Sequence, residues 1–339
     1  MKIYKVGGAV RDSLLGVKAK DNDWVVVGSS PDEMISVGFK PVGKDFPVFL
    51  HPETKEEYAL ARTERKSGNG YHGFTFYFGK EVTLEEDLSR RDFTINAMAQ
   101  DENNNIIDPL NGQIDLQNQI FKHASGAFSE DPLRAIRLAR FFTYDHLKDF
   151  SIDNSTIDKV NQIVSSNEIS KLSSERVWIE TSRALCSSNP SNYFEKIISL
   201  NLIEPFFENL KIAHCHSHSD TEIRWSELQI NNHFKLGNKI PIPNEFKNAS
   251  NVLKSISKIT NSVEESHLIK IIKDTQFKRN KELIDKLLTL PCLSENKDYV
   301  SNIADELHKT DFSFLSEIPK EKVETEKSKI YKEILKKFK

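Results

Sequence analysis

The chain has 339 residues, 38% of them hydrophobic and 29% charged, with a formal net charge of −3; that is enough for two or three domains, and it excludes RNA binding by bulk charge, so any RNA contact has to come from local basic patches. Apolar runs of only a few residues exclude a membrane span, and no charged-then-apolar leader precedes the first strand pattern. Three widely spaced cysteines, Cys186, Cys215 and Cys292, fit reduced thiols, so the expectation is a cytoplasmic protein.

In chain order, an apolar strand over Ile3 to Val6 ends at Gly7-Gly8, and a helix follows over Ala9 to Leu15. Bare backbone N–H groups at that turn suit phosphate, and Arg11 lies within reach. Asp21-Asn22-Asp23 then leads into a β-branched strand, Trp24 to Val27. Residues i and i+2 of a strand point to one side, so two carboxylates beside a phosphate cradle suggest a magnesium site. A helix over Pro31 to Ser36 and strands at Phe39 to Val42, Val48 to Leu50 and Tyr58 to Ala61 follow. Glu57 on the last of these is a candidate third carboxylate; its neighbour Glu56 is the alternative, although strand alternation sends the two to opposite faces.

Arg62 to Gly73 combines basic residues with three glycines in six positions and reads as a mobile loop, either a plain connection or one that closes during catalysis. Thr83 and Glu86 form a capping-box pattern that opens a helix expected to run to Ala99. On it, Arg90 and Arg91 point about 100° apart, so one of them is expected to face a site, while Asp92 and Asn96 share a face and can hold an arginine or a ribose. Asp108 to Gly112 reads as a turn.

Twelve of the thirteen glycines lie at or before Gly126, and from Phe128 onward apolar residues recur three and four apart. The class is therefore α+β: an N-terminal head over 1–126, helical segments over 127–210, and a helical C-terminal region over 211–339, whose first stretch, to about 262, is the least informative part and leaves room for a flexible connection. Ser129 and Pro132 open a helix that carries Asp131, Arg134, Arg137 and Arg140 every third residue. No acidic residue along it answers the three arginines, which makes an anion or a nucleobase edge the better partner. Ser174 to Glu180 reads as a structural helix with a buried Trp178. The tract His214, His216, His218, Asp220 is the one histidine-rich stretch.

Six motifs stand in one order: the glycine turn, the Asp-x-Asp strand, Arg90-Arg91-Asp92, Asp108-Pro109-Leu110-Asn111-Gly112, Glu130-Asp131-Pro132-Leu133-Arg134 and Glu175-Arg176-Val177-Trp178. Over about the first 180 residues the chain thus resembles class II tRNA nucleotidyltransferases, the bacterial CCA-adding enzymes of the DNA polymerase beta-like superfamily. The resemblance implies a head with a mixed catalytic sheet flanked by helices, then an all-helical neck, body and tRNA-binding tail. It implies that Asp21 and Asp23 bind Mg2+, and that Gly8, Arg11 and Arg91 hold the nucleotide; Glu57 remains the candidate third catalytic residue from its strand position. Asp131 and Arg134 would read the base of CTP or ATP, with Arg137 and Arg140 as further nucleotide contacts. tRNA is the implied partner, with no membrane and no obligate protein partner. The His-Asp dipeptide of the phosphohydrolase domain in many bacterial relatives is absent here, so that domain is not expected. Rival readings are a CC-only or A-only enzyme, a poly(A) polymerase, or a catalytically silent RNA-binding relative.

Overall fold

The computed structural model describes residues 1–42, 48–66, 74–260 and 263–338. Its N-terminal part is built on a seven-stranded mixed sheet in the order β3-β4-β5-β2-β1-β8-β9, with β1 (Lys2–Val6), β2 (Asp23–Val27), β3 (Lys40–Val42), β4 (Val48–Leu50), β5 (Glu57–Leu60), β8 (Ala99–Gln100) and β9 (Ile106–Ile107). The β1/β2 pair is antiparallel with Val6 opposite Asp23, whereas β2 and β5 run parallel with Asp23 opposite Glu57. Alternation along β2 explains why the sheet is covered on both sides. Val25 enters a cluster with Val6, Leu84 and Leu88, while Val26 enters one with Met34, Phe39 and Phe49 on the other face.

The helices α1 (Gly8–Leu14) and α2 (Pro31–Ser36) follow the expected pattern, and Ser30 with Glu33 caps α2 at both ends of a capping box. Two expectations need correction. The helix opened by the Thr83–Glu86 capping box, α3, stops at Ser89 (Leu84–Ser89). Phe93 is extended, bridges to His123, and packs against Phe121, Phe128 and Phe141, and only a short 3-10 turn, Thr94–Asn96, follows. The apolar spacing there belongs to a segment buried on all sides, a pattern that helical periodicity mimics. The expected loop at Arg62 to Gly73 is entered and left by an antiparallel ribbon of β6 (Thr63–Lys66) and β7 (Phe74–Tyr77), and residues 67–73 lie outside the described residues.

Gly112, at the start of α4 (Gly112–Gln117), is held by backbone approach: a Cβ there would lie 2.2 Å from the Thr94 carbonyl oxygen. The Asp108 carboxylate accepts from the Gly112 and Gln113 amides at 2.7 and 2.9 Å, so the Asp108 turn is the cap of that helix.

Beyond it the chain is helical, apart from the small parallel pair β10 (Ile120–Phe121) and β11 (Ser151–Ile152). One core runs from Val10 in the head through α5 (Leu133–Phe141), α6 (Asn154–Ser165), α7 (Ser174–Leu185) and α8 (Pro190–Ser199) to Phe246. A second core holds α11 (Glu265–Thr275), α12 (Lys281–Leu287), α13 (Lys297–Lys309) and α14 (Lys320–Lys336). The uninformative stretch from about 211 to 262 contains α9 (Thr221–Asn231) and α10 (Asn244–Ile256), which pack together with Trp225 and Leu253 buried. Among the described residues, no helix is long and apolar enough to cross a membrane.

Candidate nucleotide-transfer site

The head sheet, α1, the segment after α3, α5 and α7 converge on a cleft of about 730 Å³. Among the described residues, eight arginines line it, with Lys18 and Lys20, against four aspartates. A chain with a net charge of −3 thus concentrates positive charge in one cavity, where low-dielectric walls focus it.

The glycine turn forms one wall. Gly7 sits at φ +72, a conformation that favours glycine, and a Cβ there would fall 2.9 Å from Arg91 Nη1 and 3.9 Å from Asp23 Oδ2. The bare turn therefore leaves room for a carboxylate and a guanidinium to face the same space. Asp23 opens β2 and keeps solvent access at the cleft wall. Surrounding protein raises its pKa, Arg91 works against that rise, and the Asp21 carboxylate adds to it. Two like charges in each other's field next to a space left by glycine fit a divalent cation.

The third carboxylate is less well placed. Asp21 lies in the bend before β2 rather than in the strand, and Glu57 is in register with Asp23 but exposed and outside the cleft lining. Among the described residues no three His, Cys, Asp or Glu side chains form a ready metal cluster.

The arginines are held by acids, some within one turn of them and some far away in sequence. Asp87, fully buried, accepts from Arg90 Nη2 at 2.7 Å and Arg91 Nη2 at 3.2 Å, so both arginines face the cleft, not one of the two. Burial opposes ionisation of Asp87, yet the two guanidiniums hold its carboxyl below the ordinary value. Arg91 Nε is buried without a hydrogen-bond partner among the described residues, a donor still to be satisfied.

On α5, Arg137 donates through Nε and Nη2 to Asp92 at 3.1 and 3.0 Å and reaches Glu180 on α7 at 3.5 Å. Arg140 bonds Glu180 and the Tyr144 hydroxyl. The acidic partners that α5 lacks along its own length are therefore supplied by tertiary packing, which corrects the expectation that these arginines had none. Asp92 and Asn96 do join, at 2.9 Å, and between them hold Arg137 and Arg11. Despite its burial, Asp92 is pulled down to about 2 by the Arg137 charge, the Asn96 bond and Arg134.

Asp131 and Arg134 both line the cleft. Asp131 Oδ2 accepts from Arg176 Nη2 at 2.7 Å, and Arg134 donates to the backbone carbonyls of Arg90 and Arg91 at 2.5 and 3.4 Å. Gly8 and Arg11 line the cleft as well, and Arg11 Nε and Nη2 meet Asp12 Oδ1 at 2.8 and 2.6 Å. Burial raises the Asp12 pKa, but the bond from His146 and the Arg11 charge hold it below the ordinary value.

Arg176 and Glu180 thus belong to the site, although α7 read as purely structural, and Trp178 is half-buried, edge-on to Trp225 and Phe246. The one signal in the sequence was that Arg176 and Glu180 stand four apart on one helical face. His214 pairs with Glu227 at 3.2 Å and His216 with Ser191 at 2.9 Å, so that tract is held by ordinary polar contacts.

Residues 3–122 match the family model of the poly A polymerase head domain, and residues 149–213 match the model described as the probable RNA and SrmB-binding site of polymerase A. Residues 3–122 thus form a domain of the poly A polymerase head family, and together with the second match they support a nucleotidyltransferase. Among solved structures, the Bacillus stearothermophilus CCA-adding enzyme in complex with CTP is similar at 20% identity and a TM-score of 0.70, over 98% of this chain and 88% of that one. A CCA-adding enzyme in apo form II is similar at 20% identity and 0.73, over 98% and 88%. A tRNA nucleotidyltransferase complexed with a primer tRNA and an incoming ATP analog is similar at 22% identity and 0.51, over 99% and 96%. At such identities these likenesses establish a shared fold.

Proposed function

We propose that the protein adds the CCA terminus to the 3′ end of tRNA from CTP and ATP, releasing pyrophosphate, by metal-dependent nucleotidyl transfer. The observation that carries this reading is the arginine-lined cleft with Asp23 at its wall. Its charge complements a triphosphate, and the nearby solved structures of the same fold include complexes with CTP and with tRNA and an ATP analog.

Arg11 and Arg91 would take the triphosphate beside Gly8, with the unsatisfied Arg91 Nε among the donors. Asp131 and Arg134, pinned by Arg176 and by backbone carbonyls, would present an acceptor and a donor to the base edge. Arg137 and Arg140 add countercharge on the same helix. Asp21 and Asp23 would hold Mg2+, with Glu57 as a third acid brought in from the neighbouring strand. When bound, that ion neutralises phosphate charge and favours the attacking hydroxyl as alkoxide. The tRNA 3′-hydroxyl attacks the α-phosphate and pyrophosphate leaves; the side chains of this chain act by positioning and charge, as phosphoryl transfer requires. The helical region after residue 211 would carry the body of the tRNA.

The test is stepwise addition: tRNA lacking its terminus, magnesium, and CTP or ATP alone or together. Growth by two residues with CTP and a third with ATP is expected. Stopping after CC, adding A alone, or a long A tract assigns the chain to a partial enzyme or a poly(A) polymerase, and no growth refutes transfer to tRNA.

A further inference from the structure

The arginines at the floor of the cleft belong to one closed circuit of contacts. Arg11 Nη1 donates to Asn96 Oδ1 at 2.6 Å, and Asn96 Nδ2 donates to Asp92 Oδ1 at 2.9 Å. Asp92 Oδ2 takes Arg137, Arg137 reaches Glu180, and Glu180 takes Arg140, which bonds the Tyr144 hydroxyl. Tyr144 stacks parallel on His146, with ring centroids 5.9 Å apart and planes 4° apart. His146 Nε2 lies 3.1 Å from Asp12 Oδ1, the same oxygen that receives Arg11 Nε and Nη2. The circuit encloses Phe141, whose ring carries Arg11, Arg137 and Arg140 at 5.4, 5.7 and 4.8 Å.

His146 is the link that joins the two halves. It lies in the turn beyond α5, and its partner Asp12 lies on α1 of the head, 134 residues away in sequence. Its side chain is 22% exposed and lines the cleft, so it is not filling a core. A carboxylate only accepts, hence Nε2 must carry the proton in this bond. Without it, Arg11 still meets Asp12 and Asn96, but Asp12 is no longer tied to the turn after α5, and Asn96 is left as the anchor of Arg11 that is itself held from another element.

We propose that His146 is a positioning residue for nucleotide binding: by holding Asp12 across the seam between α1 and the turn after α5, it keeps the Arg11 guanidinium turned toward the triphosphate. This rests on the nucleotide-transfer reading above. Arg11 meets the triphosphate in the ground state as well as the transition state, so its misplacement appears in KM more than in kcat.

Steady-state addition of CTP to tRNA by the full chain tests it. His146→Ala is expected to raise the KM for CTP about fivefold, the size of one net hydrogen bond, with kcat within about twofold. His146→Gln, whose amide can still donate to Asp12, should return KM to within about twofold of wild type, and the shorter His146→Asn should not. An unchanged KM in folded His146→Ala, or no recovery with Gln, overturns the role and leaves the proposed function standing. If His146→Ala does not fold, the Gln and Asn pair decides alone by the same contrast. If the wild-type protein binds CTP without lengthening RNA, the function fails, and the CTP dissociation constants of the same variants decide the positioning role. Absence of any CTP binding overturns both.

Discussion

The cleft and the C-terminal helices both carry many charges, but they use them differently. In the cleft the cations are mostly arginines on buried or half-buried partners, Arg90 and Arg91 on Asp87 within one turn and others on residues far away in sequence, Arg11 with Asn96, Arg137 with Asp92, Arg140 with Glu180. After Arg224 the only arginine is Arg279, and the paired cations are lysines, mostly on more exposed faces, some one turn from their acids, Lys329 with Glu326 and Lys327 with Glu324, and others across helices, Lys273 with Glu324 and Lys286 with Asp220. Arginine's rigid fork suits buried acids and phosphates, whereas lysine's flexible ammonium suits a solvated helix. Buried arginine pairing therefore marks the proposed site, and exposed lysine pairing marks where a helix meets solvent.

The largest effect expected on the cleft side is on the reaction itself. Asp23→Ala should lower nucleotide incorporation by about 10³-fold or more, because it removes a carboxylate from the proposed metal pair. Asp23 is solvent-accessible, so the urea midpoint should barely move. A retained rate, measured with magnesium and both nucleotides, would take the reaction away from this wall of the cleft.

How far the sequence disclosed these two regions follows from the range of the interactions. The strand β2 was legible because its β-branched run, buried on both faces with Val25 in one core and Val26 in the other, is a local signal, and the start of α3 because the capping box at Thr83 and Glu86 is one too. The end of α3 was not, since Phe93 is extended by its place among Phe121, Phe128 and Phe141, all supplied from later in the chain. The candidate residues Arg11, Arg91, Asp131, Arg134, Arg137 and Arg140 do gather in one cavity. What stayed hidden was the set of acids and the histidine that orient them. Asp87 was indistinguishable from capping acidity, and Glu180 and His146 are tens of residues from the arginines they serve.

Glu180 tests that hidden layer. It is 2% exposed and answers both Arg137 and Arg140. Replacing it by alanine leaves two guanidiniums short of countercharge, and about 3–5 kcal/mol of unfolding free energy should be lost in urea titrations. Glu180→Gln, which keeps an acceptor, should lose roughly half as much. A loss below about 1 kcal/mol for the alanine variant would place these arginines among ordinary surface pairs and dissolve the contrast.

Acid should separate the regions as well. Asp92 has a folded pKa of about 2 against 3.8 for the ordinary group, so its contribution is present above the unfolded value and is lost as pH falls through 4 toward 2. The difference amounts to about 2 kcal/mol. In Asp92→Asn that part of the acid limb should flatten, read as urea midpoints at pH 6, 4 and 3. An unaltered slope would mean that Arg137 does not hold Asp92 ionised in solution.

The smallest effect belongs to the C-terminal helices. Lys329 and Glu326 lie 2.7 Å apart on α14 with side chains 62% and 36% exposed. The pair gains little in high dielectric, loses side-chain entropy on ordering and is screened by salt, so Lys329→Ala should cost no more than about 0.5 kcal/mol and less at 1 M salt. Arginine at this position should change nothing measurable, since a solvated i,i+3 pair makes no use of a bidentate fork, whereas Arg137→Lys in the cleft should be costly because Asp92 accepts from both Nε and Nη2. If the two conservative exchanges cost the same by urea denaturation, residue identity carries no more meaning in the cleft than on α14, and the division between the regions is one of burial alone.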